Sequence, residues 1–428
     1  MKTTIKDTLR SLFCLGTILP FTCAAATTLT IESWRSDDRL IWQRQIIPAF
    51  EKKHPNIKLK FSPTSPAEYN AALNARLESD TAGDLITCRP FDTSLRLYQK
   101  DKLIKLDDVP TLANFSAMAK LAWQTDDGID TFCIPIASVI HGFIYNKQVF
   151  QELKLEEPTT EAEFFTILEK IKSQGDYIPL AIGTADQWEA ATMGLQNIGP
   201  NYWQGEQGRK ALINGTQKLS DPPYIKALTA LSKWRPFLAK GYQAQTYSDS
   251  QTQFTLGRAA IYPAGSWEIG FFTKEVDFEL GAFKPPVPKK ENICYISDHT
   301  DIGMGINGKS KNIKEAKMFI NWLGSKEFAE LYSNALPGFF SLSNHQFVLN
   351  NPLAKTFIGW RNECRSTIRN SYQILSRGIP NLETQLWSVS ANILNKTQQP
   401  EEAAKQLQKG LASWYKPKLA KAEIEKTK

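Results

Sequence analysis

The chain of 428 residues, 42% hydrophobic and 22% charged, has ordinary globular composition and enough length for two or three domains. Its 24 Gly and 23 Pro lie near average, no tract is built from one or two residue types and no internal repeat is visible, which excludes collagen-like and solenoid chains. The formal charge of +7 falls to +5 once Lys2, Lys6 and Arg10 less Asp7 are set aside, too small and dispersed an excess for nucleic acid.

The basic start is followed by an apolar run from Leu12 to Phe21 and by Cys23-Ala24-Ala25-Ala26. This order predicts a secretory signal peptide over residues 1–26. Pro20-Phe21-Thr22 lack the small pair expected ahead of a lipid-modified cysteine, so a soluble exported protein is expected. No later segment reaches 18 consecutive apolar residues, and no membrane span is expected. Four cysteines lie beyond the leader, Cys88, Cys133, Cys294 and Cys364. In an oxidising compartment they can form two disulfides or remain free as small core residues, and their spacing does not suit zinc.

From Thr28 an alternating run (Leu29, Ile31) predicts a strand, and Leu40, Ile46, Ile47 and Phe50 predict a helix over Arg39 to Lys53. Ile57, Leu59 and Phe61 predict a second strand, Tyr69, Leu73 and Leu77 a second helix, and Asp84 to Cys88 a third strand. Such alternation predicts an α/β layer with a largely parallel sheet. Asp126, Asp127 and Asp130 resemble the start of a calcium loop, but its later ligands are absent and Asp127-Gly128 reads as a turn. Helices are predicted at Glu161 to Lys172, Pro222 to Lys240, Ile313 to Tyr332, Leu382 to Asn395 and Glu401 to Tyr415, with an extended piece at Arg258 to Pro263. Lys284 to Lys290, the one Pro-rich stretch, reads as a passage between domains.

Gly303 to Ser310 fits the P-loop spacing. A P-loop follows a buried apolar strand, whereas Tyr295 to Asp301 is mostly polar, so the string reads as a short strand, Ile302 to Ile306, turning through Asn307-Gly308 into a helix. The four histidines form no His-Glu-x-x-His pattern, and no Gly-x-Ser-x-Gly elbow occurs. A secreted glycosidase needs only two carboxylates, which keeps a carbohydrate-active enzyme as the alternative reading. The remaining signal is aromatic. Trp34, Trp188 and Trp267 follow predicted strands and Trp387 sits in a late helix, where indoles can either stack on sugar faces or fill the core. Trp42, Trp322 and Trp414 lie within amphipathic helices and read as core.

Several strings stand in order along the chain: Leu29-Thr-Ile-Glu-Ser-Trp34, Ile46 to Glu51 with Pro55 to Leu59, Gly83 to Ile86, Pro135 with Phe143 to Lys147, Phe254 to Ala260, Gly265-Ser-Trp267, and Gly305 to Ser310 with Phe319 to Leu323. Together they resemble family 1 of the extracellular solute-binding proteins, the sugar-binding subunits of ABC importers. Their order and spacing cover nearly all of residues 28 to 415.

The resemblance implies an α/β fold of two discontinuous lobes joined by a hinge, here 27–137 with 284–326 and 138–283 with 327–428, closing on a ligand. Carried over by motif, the ligand-binding positions would be Asp37, Asp38 and Arg39 after the first strand, and Arg89 and Asp92 after the third. His141, Trp188, Glu189, Trp267, Asp301 and Trp387 would complete the set. The resemblance also implies a periplasmic monomer without catalysis, cofactor or metal. It would pass a mono- to oligosaccharide to two permease subunits with a separate ATPase, or serve a sensor.

Overall fold

A computed structural model describes residues 26–417, so the expected signal peptide, apart from Ala26, and the chain end beyond Pro417 lie outside the described residues. Strands β1 (Thr27–Ser33), β2 (Ile57–Pro63) and β3 (Leu85–Cys88) form where the alternation is read. The first expected helix contains a π-helical stretch, Trp42–Ile46, before Ile47–Lys53. That wider turn shifts the buried face: Trp42 is buried and stacks on Phe61, whereas Leu40 is 55% exposed. The helix Glu161–Gln174 starts at a capping box between Thr160 and Glu163 and stops at Gly175, whose φ is 81°. The helix expected to run from Ile313 to Tyr332 breaks at Gly324, and Ser325 caps a new one, Lys326–Ala335.

The remaining strands are β4 (Ile134–Asn146), β5 (Ile178–Leu180), β6 (Ala259–Gly265), β7 (Leu280–Phe283), β8 (Tyr295–Ile306), β9 (Phe340–Ser341) and β10 (Arg365–Thr367). They join in the order β2-β1-β3-β8-β4-β6-β5, with β7 and β9 against β4 and β10 against β8. The sheet is mixed rather than largely parallel. β1 is parallel to β2 and β3, and β5 to β6, but β8 and β4 run antiparallel to each other and to β3 and β6 respectively. The two long strands are shared between the lobes, so each sends one strand backwards through its neighbour's sheet.

Side-chain packing marks where the chain changes lobe. Val139 packs in one core and Ile140 in another, close to the passage expected near Ala137. The second change falls inside β8, where Ile296 packs in the second lobe and Ile302 in the first. The Pro-rich stretch expected to make this passage instead stays on the second lobe, where Val287 exchanges backbone hydrogen bonds with Thr159 and Glu161. The third change, expected near Lys326, comes between Phe339 and Phe340, because Lys326–Ala335 buries Phe328 and Tyr332 in the first-lobe core. On this packing we propose lobe limits near residues 139, 301 and 339.

Two disulfides, Cys88–Cys133 and Cys294–Cys364, each lie within one lobe. The apparent P-loop is a structural corner: Asp84 of the first lobe accepts hydrogen bonds from Ser310 and Asn312 side chains and from the Thr30 backbone. The Asp127-Gly128 turn closes through Thr125 N donating to the Asp130 carbonyl.

Candidate functional site

Between the lobes lies a cavity of about 650 Å³. On the first-lobe side, β1 ends in Trp34, whose ring meets the edge of Tyr69 at 5.5 Å and carries the Arg89 guanidinium 4.4 Å above it. Arg89 also donates to Asn70 Oδ1 and to the Pro66 carbonyl. Asp37 is exposed on this wall. The cavity continues along a groove between the helices Tyr69–Glu78 and Asp92–Gln99, floored by Leu73, Leu77 and Leu97.

The second-lobe wall is aromatic. Trp267 follows β6 directly, and a Cβ on Gly265 would lie 2.0 Å from its ring, so the indole rests flat against the glycine backbone. Its Nε1 donates to Tyr247 Oη and to Glu268 Oε1, both at 3.1 Å. Trp188 lies 4.8 Å from the Tyr247 ring. Along the helix Leu382–Leu394, Glu383 and Trp387 stand one turn apart and both line the cavity, while Leu386, Val389 and Ile393 bury in the core. Arg369 donates to Glu383, and its guanidinium lies 5.3 Å from the Tyr372 ring.

Asp301, on the shared strand β8, looks into the cavity at the hinge. Burial pushes its carboxyl above the usual carboxylate range, opposed by Arg369, Arg89 and Arg35.

Six of the positions carried over by motif therefore line the cavity: Asp37, Arg89, Trp188, Trp267, Asp301 and Trp387. Five do not. Asp38 is buried and holds Arg35 through two hydrogen bonds of 2.7 and 2.8 Å, so it is Arg35 that reaches the cavity. Arg39 opens the following helix and points to solvent. Asp92, 4% exposed, is turned onto Arg377, and burial pushes its carboxyl up to about 6 in spite of that arginine.

His141 lies one layer behind the wall, its ring 5.2 Å from Trp267 and 5.1 Å from His299, and burial holds it well below the usual imidazole range. Glu189 turns inward from Trp188, fully buried, and burial pushes its carboxyl well above the usual range.

Sequence reasoning missed Arg35, Asp186, Tyr247, Arg369 and Glu383. Arg35 stood at i−3 to Asp38, a spacing that signals a local ion pair, and Asp186 stood two residues before Trp188. Arg369 and Glu383 sit in no recognisable string.

Two α/β lobes sharing antiparallel strands and enclosing an aromatic, charged cleft define a hinged binding protein. The chain matches the model of the bacterial extracellular solute-binding proteins over residues 36–330 and belongs to that family. It is similar to a multiple sugar-binding protein of Streptococcus mutans, 22% identical over 300 residues, covering 68% of this chain and 69% of that one. An uncharacterized ABC transporter extracellular-binding protein of Pyrococcus horikoshii is 26% identical over 300 residues, 65% of this chain and 63% of that protein. Among solved structures, the solute receptor AcbH, described as preferring β-D-galactopyranose exclusively, aligns with TM-score 0.80 at 17% identity over 92% of this chain and 100% of that one. RafE in complex with raffinose aligns with TM-score 0.75 at 20% identity over 91% and 99%.

Proposed function

We propose that this chain captures a mono- to oligosaccharide between its lobes and presents it to a pair of membrane permease subunits driven by a separate ATPase. It acts after export through a cleaved signal peptide into the periplasm, as a monomer that performs no chemistry. One observation carries the reading: Trp34, Trp188, Trp267, Trp387 and Tyr247 line one cavity together with Asp37, Arg89, Asp301 and Glu383. Sugar rings offer apolar faces that stack on aromatic rings and hydroxyl edges that exchange hydrogen bonds with charged side chains. The groove beyond Arg89 gives room for more than one ring. The names and ligands of the relatives support the same class. Because the walls come from different lobes, a ligand that touches both favours the closed arrangement by the difference in its affinity for the two states.

The test is thermal unfolding with and without galactose, raffinose, chitin oligosaccharides and xylan oligosaccharides, followed by chromatography of each sugar. Binding adds about 2.7 kcal/mol of stability at 100 times Kd. A raised midpoint with one sugar, recovered intact, is the expected result. Cleaved sugar would make the protein an enzyme, and no shift with any sugar would overturn the saccharide reading.

A further inference from the structure

Behind the aromatic wall lies a carboxylate that no part of the cavity exposes. Glu268 is 1% exposed at the residue after Trp267. It accepts hydrogen bonds from Trp267 Nε1 at 3.1 Å, from Gln251 Nε2 at 2.9 Å and from the Tyr247 hydroxyl, and Tyr262 Oη stands 3.5 Å away. Tyr247 Oη in turn accepts from Trp267 Nε1, which closes a triangle of indole, phenol and carboxylate. The Trp188 ring lies 4.8 Å from that of Tyr247, tilted by 58°. A side chain that touches nothing in the cavity thus sets the tilt of two rings that do, and through Tyr247 it supports a third.

We propose that Glu268 is the positioning residue of the ligand cleft: its carboxylate fixes the Trp267 indole and the Tyr247 phenol in the orientation that receives the ligand, so ligand affinity follows the state of a group the ligand never meets. This rests on the reading that Trp267 and Tyr247 face a bound saccharide. The anionic form accepts from Trp267, Tyr247 and Gln251 at once; protonation turns one oxygen into a donor facing groups that themselves donate and removes the charge that strengthens these hydrogen bonds.

Burial pushes the Glu268 carboxyl up to about 7, against the Tyr247 and Gln251 hydrogen bonds and the Arg35 charge, which pull it down. The ionisable groups facing it are Tyr247 from its helix, Tyr262 from β6, the buried Glu189, and Arg35 and Asp37 across the cleft. Both tyrosines are held well above their usual range by burial and stay neutral. Burial also pushes the Glu189 carboxyl well above the usual range, so Glu268→Gln is the variant that separates the two carboxyls.

The test needs no ligand. Indole nitrogens are labelled with nitrogen-15, the Trp267 signal is assigned by its loss in Trp267→Phe, and its position is followed from roughly pH 5.5 to 8.5, on either side of the carboxyl midpoint. The Trp267 signal is expected to titrate with a midpoint near 7 in the native protein and to be flat in Glu268→Gln. In Tyr247→Phe, which removes one donor, the midpoint is expected to rise, so the role can be judged even where Glu268→Gln does not fold. A Trp267 signal that is flat in the native protein, or that titrates unchanged in Glu268→Gln, would overturn the proposal.

In a second arm, raffinose binding is measured by calorimetry at about pH 6 and about pH 8. Affinity is expected to be roughly three- to tenfold weaker at the lower pH, as for one weakened hydrogen bond, and to lose most of that pH dependence in Glu268→Gln. Equal affinities in the native protein would count against Glu268 as positioning residue. A protein that ignores raffinose at both pH values counts against the saccharide reading, and the indole titration then decides the role of Glu268 alone.

Discussion

Arg377 reaches from the second lobe to Asp126 of the first and holds both of its carboxylate oxygens at 2.7 Å, while its Nε donates to the buried Asp92 at 2.5 Å. Leu375, two residues before it, is anchored in the second-lobe core, so this arginine ties the lobes together away from the shared strands.

The two acidic partners should differ in worth. Asp126 is exposed, and Asp126→Asn is expected to cost less than about 1 kcal/mol, as exposed ion pairs do. Arg377→Ala leaves Asp92 buried without its partner and is expected to cost about 2 kcal/mol or more. Denaturant unfolding of the single and double variants measures both, and a second Asp92→Asn change should recover part of the loss. Small-angle scattering of ligand-free Arg377→Ala should show a larger radius of gyration than the native protein. An unchanged radius would show that the pair does not hold the lobes closed.

Ligand affinity and fold stability should separate at two tryptophans. Trp267 is half-buried on the cavity wall, whereas Trp42 is 4% exposed and stacked on Phe61 at 4.8 Å. Trp267→Ala is expected to abolish the sugar-dependent rise in melting temperature at a cost of about 1–2 kcal/mol in stability. Trp42→Ala is expected to cost about 3–5 kcal/mol and to leave the sugar response intact at temperatures where the protein is folded. Equal loss of sugar response in both would mean that the indole of Trp267 acts through the fold.

What was legible in the sequence follows from where information about direction resides. Alternation and helical spacing predict β1 to β3 and the helices around them because burial on one face is written into adjacent residues. The Trp residues at strand ends were legible for the same reason: a strand end in an α/β lobe faces the ligand crevice. The polar choices failed where one residue of rotation decides the outcome. Asp37 faces the cavity and Asp38 the protein, and the same holds for Trp188 and Glu189. Arg369 and Glu383 were invisible because their meeting with Asp301 is made by the third passage between lobes, which no local pattern records. The strand expected over Ile302 to Ile306 begins earlier, at Tyr295, because the polar stretch before it buries Ser297 and His299 at the hinge, a burial that their polarity does not signal.

The disulfides should contribute stability without governing closure. Cys88–Cys133 closes a separation of 45 residues and Cys294–Cys364 one of 70, each inside one lobe. Chain-entropy reasoning gives about 4 kcal/mol for loops of these lengths, with observed values of about 2–5. The Cys88→Ser/Cys133→Ser and Cys294→Ser/Cys364→Ser proteins are each expected to melt lower by calorimetry yet to bind sugar with native affinity at 20 °C or so. A sugar affinity that falls tenfold in either would show that the bridge shapes the cleft as well as the lobe.

The elevated Glu268 carboxyl also fixes the sign of one part of the stability profile. The folded protein holds this proton up to about pH 7, whereas the unfolded chain releases it near the ordinary 4.5. Between those values the folded state binds more protons, so this group's contribution is complete below 4.5 and is lost as pH rises through 7. The gap corresponds to a contribution on the order of 3 kcal/mol. His141 and His299, held neutral by burial, act in the opposite sense and lose stability as pH falls below the imidazole range. The raw profile therefore mixes signs, and the informative quantity is the native protein minus Glu268→Gln. That difference, from denaturant unfolding at about pH 5 and about pH 8, is expected to move against the native protein by most of those ~3 kcal/mol on going to the higher pH. Parallel profiles would mean that the carboxyl ionises alike in both states, and the hydrogen bonds from Trp267 and Tyr247 would then have to form without the burial that distinguishes this glutamate.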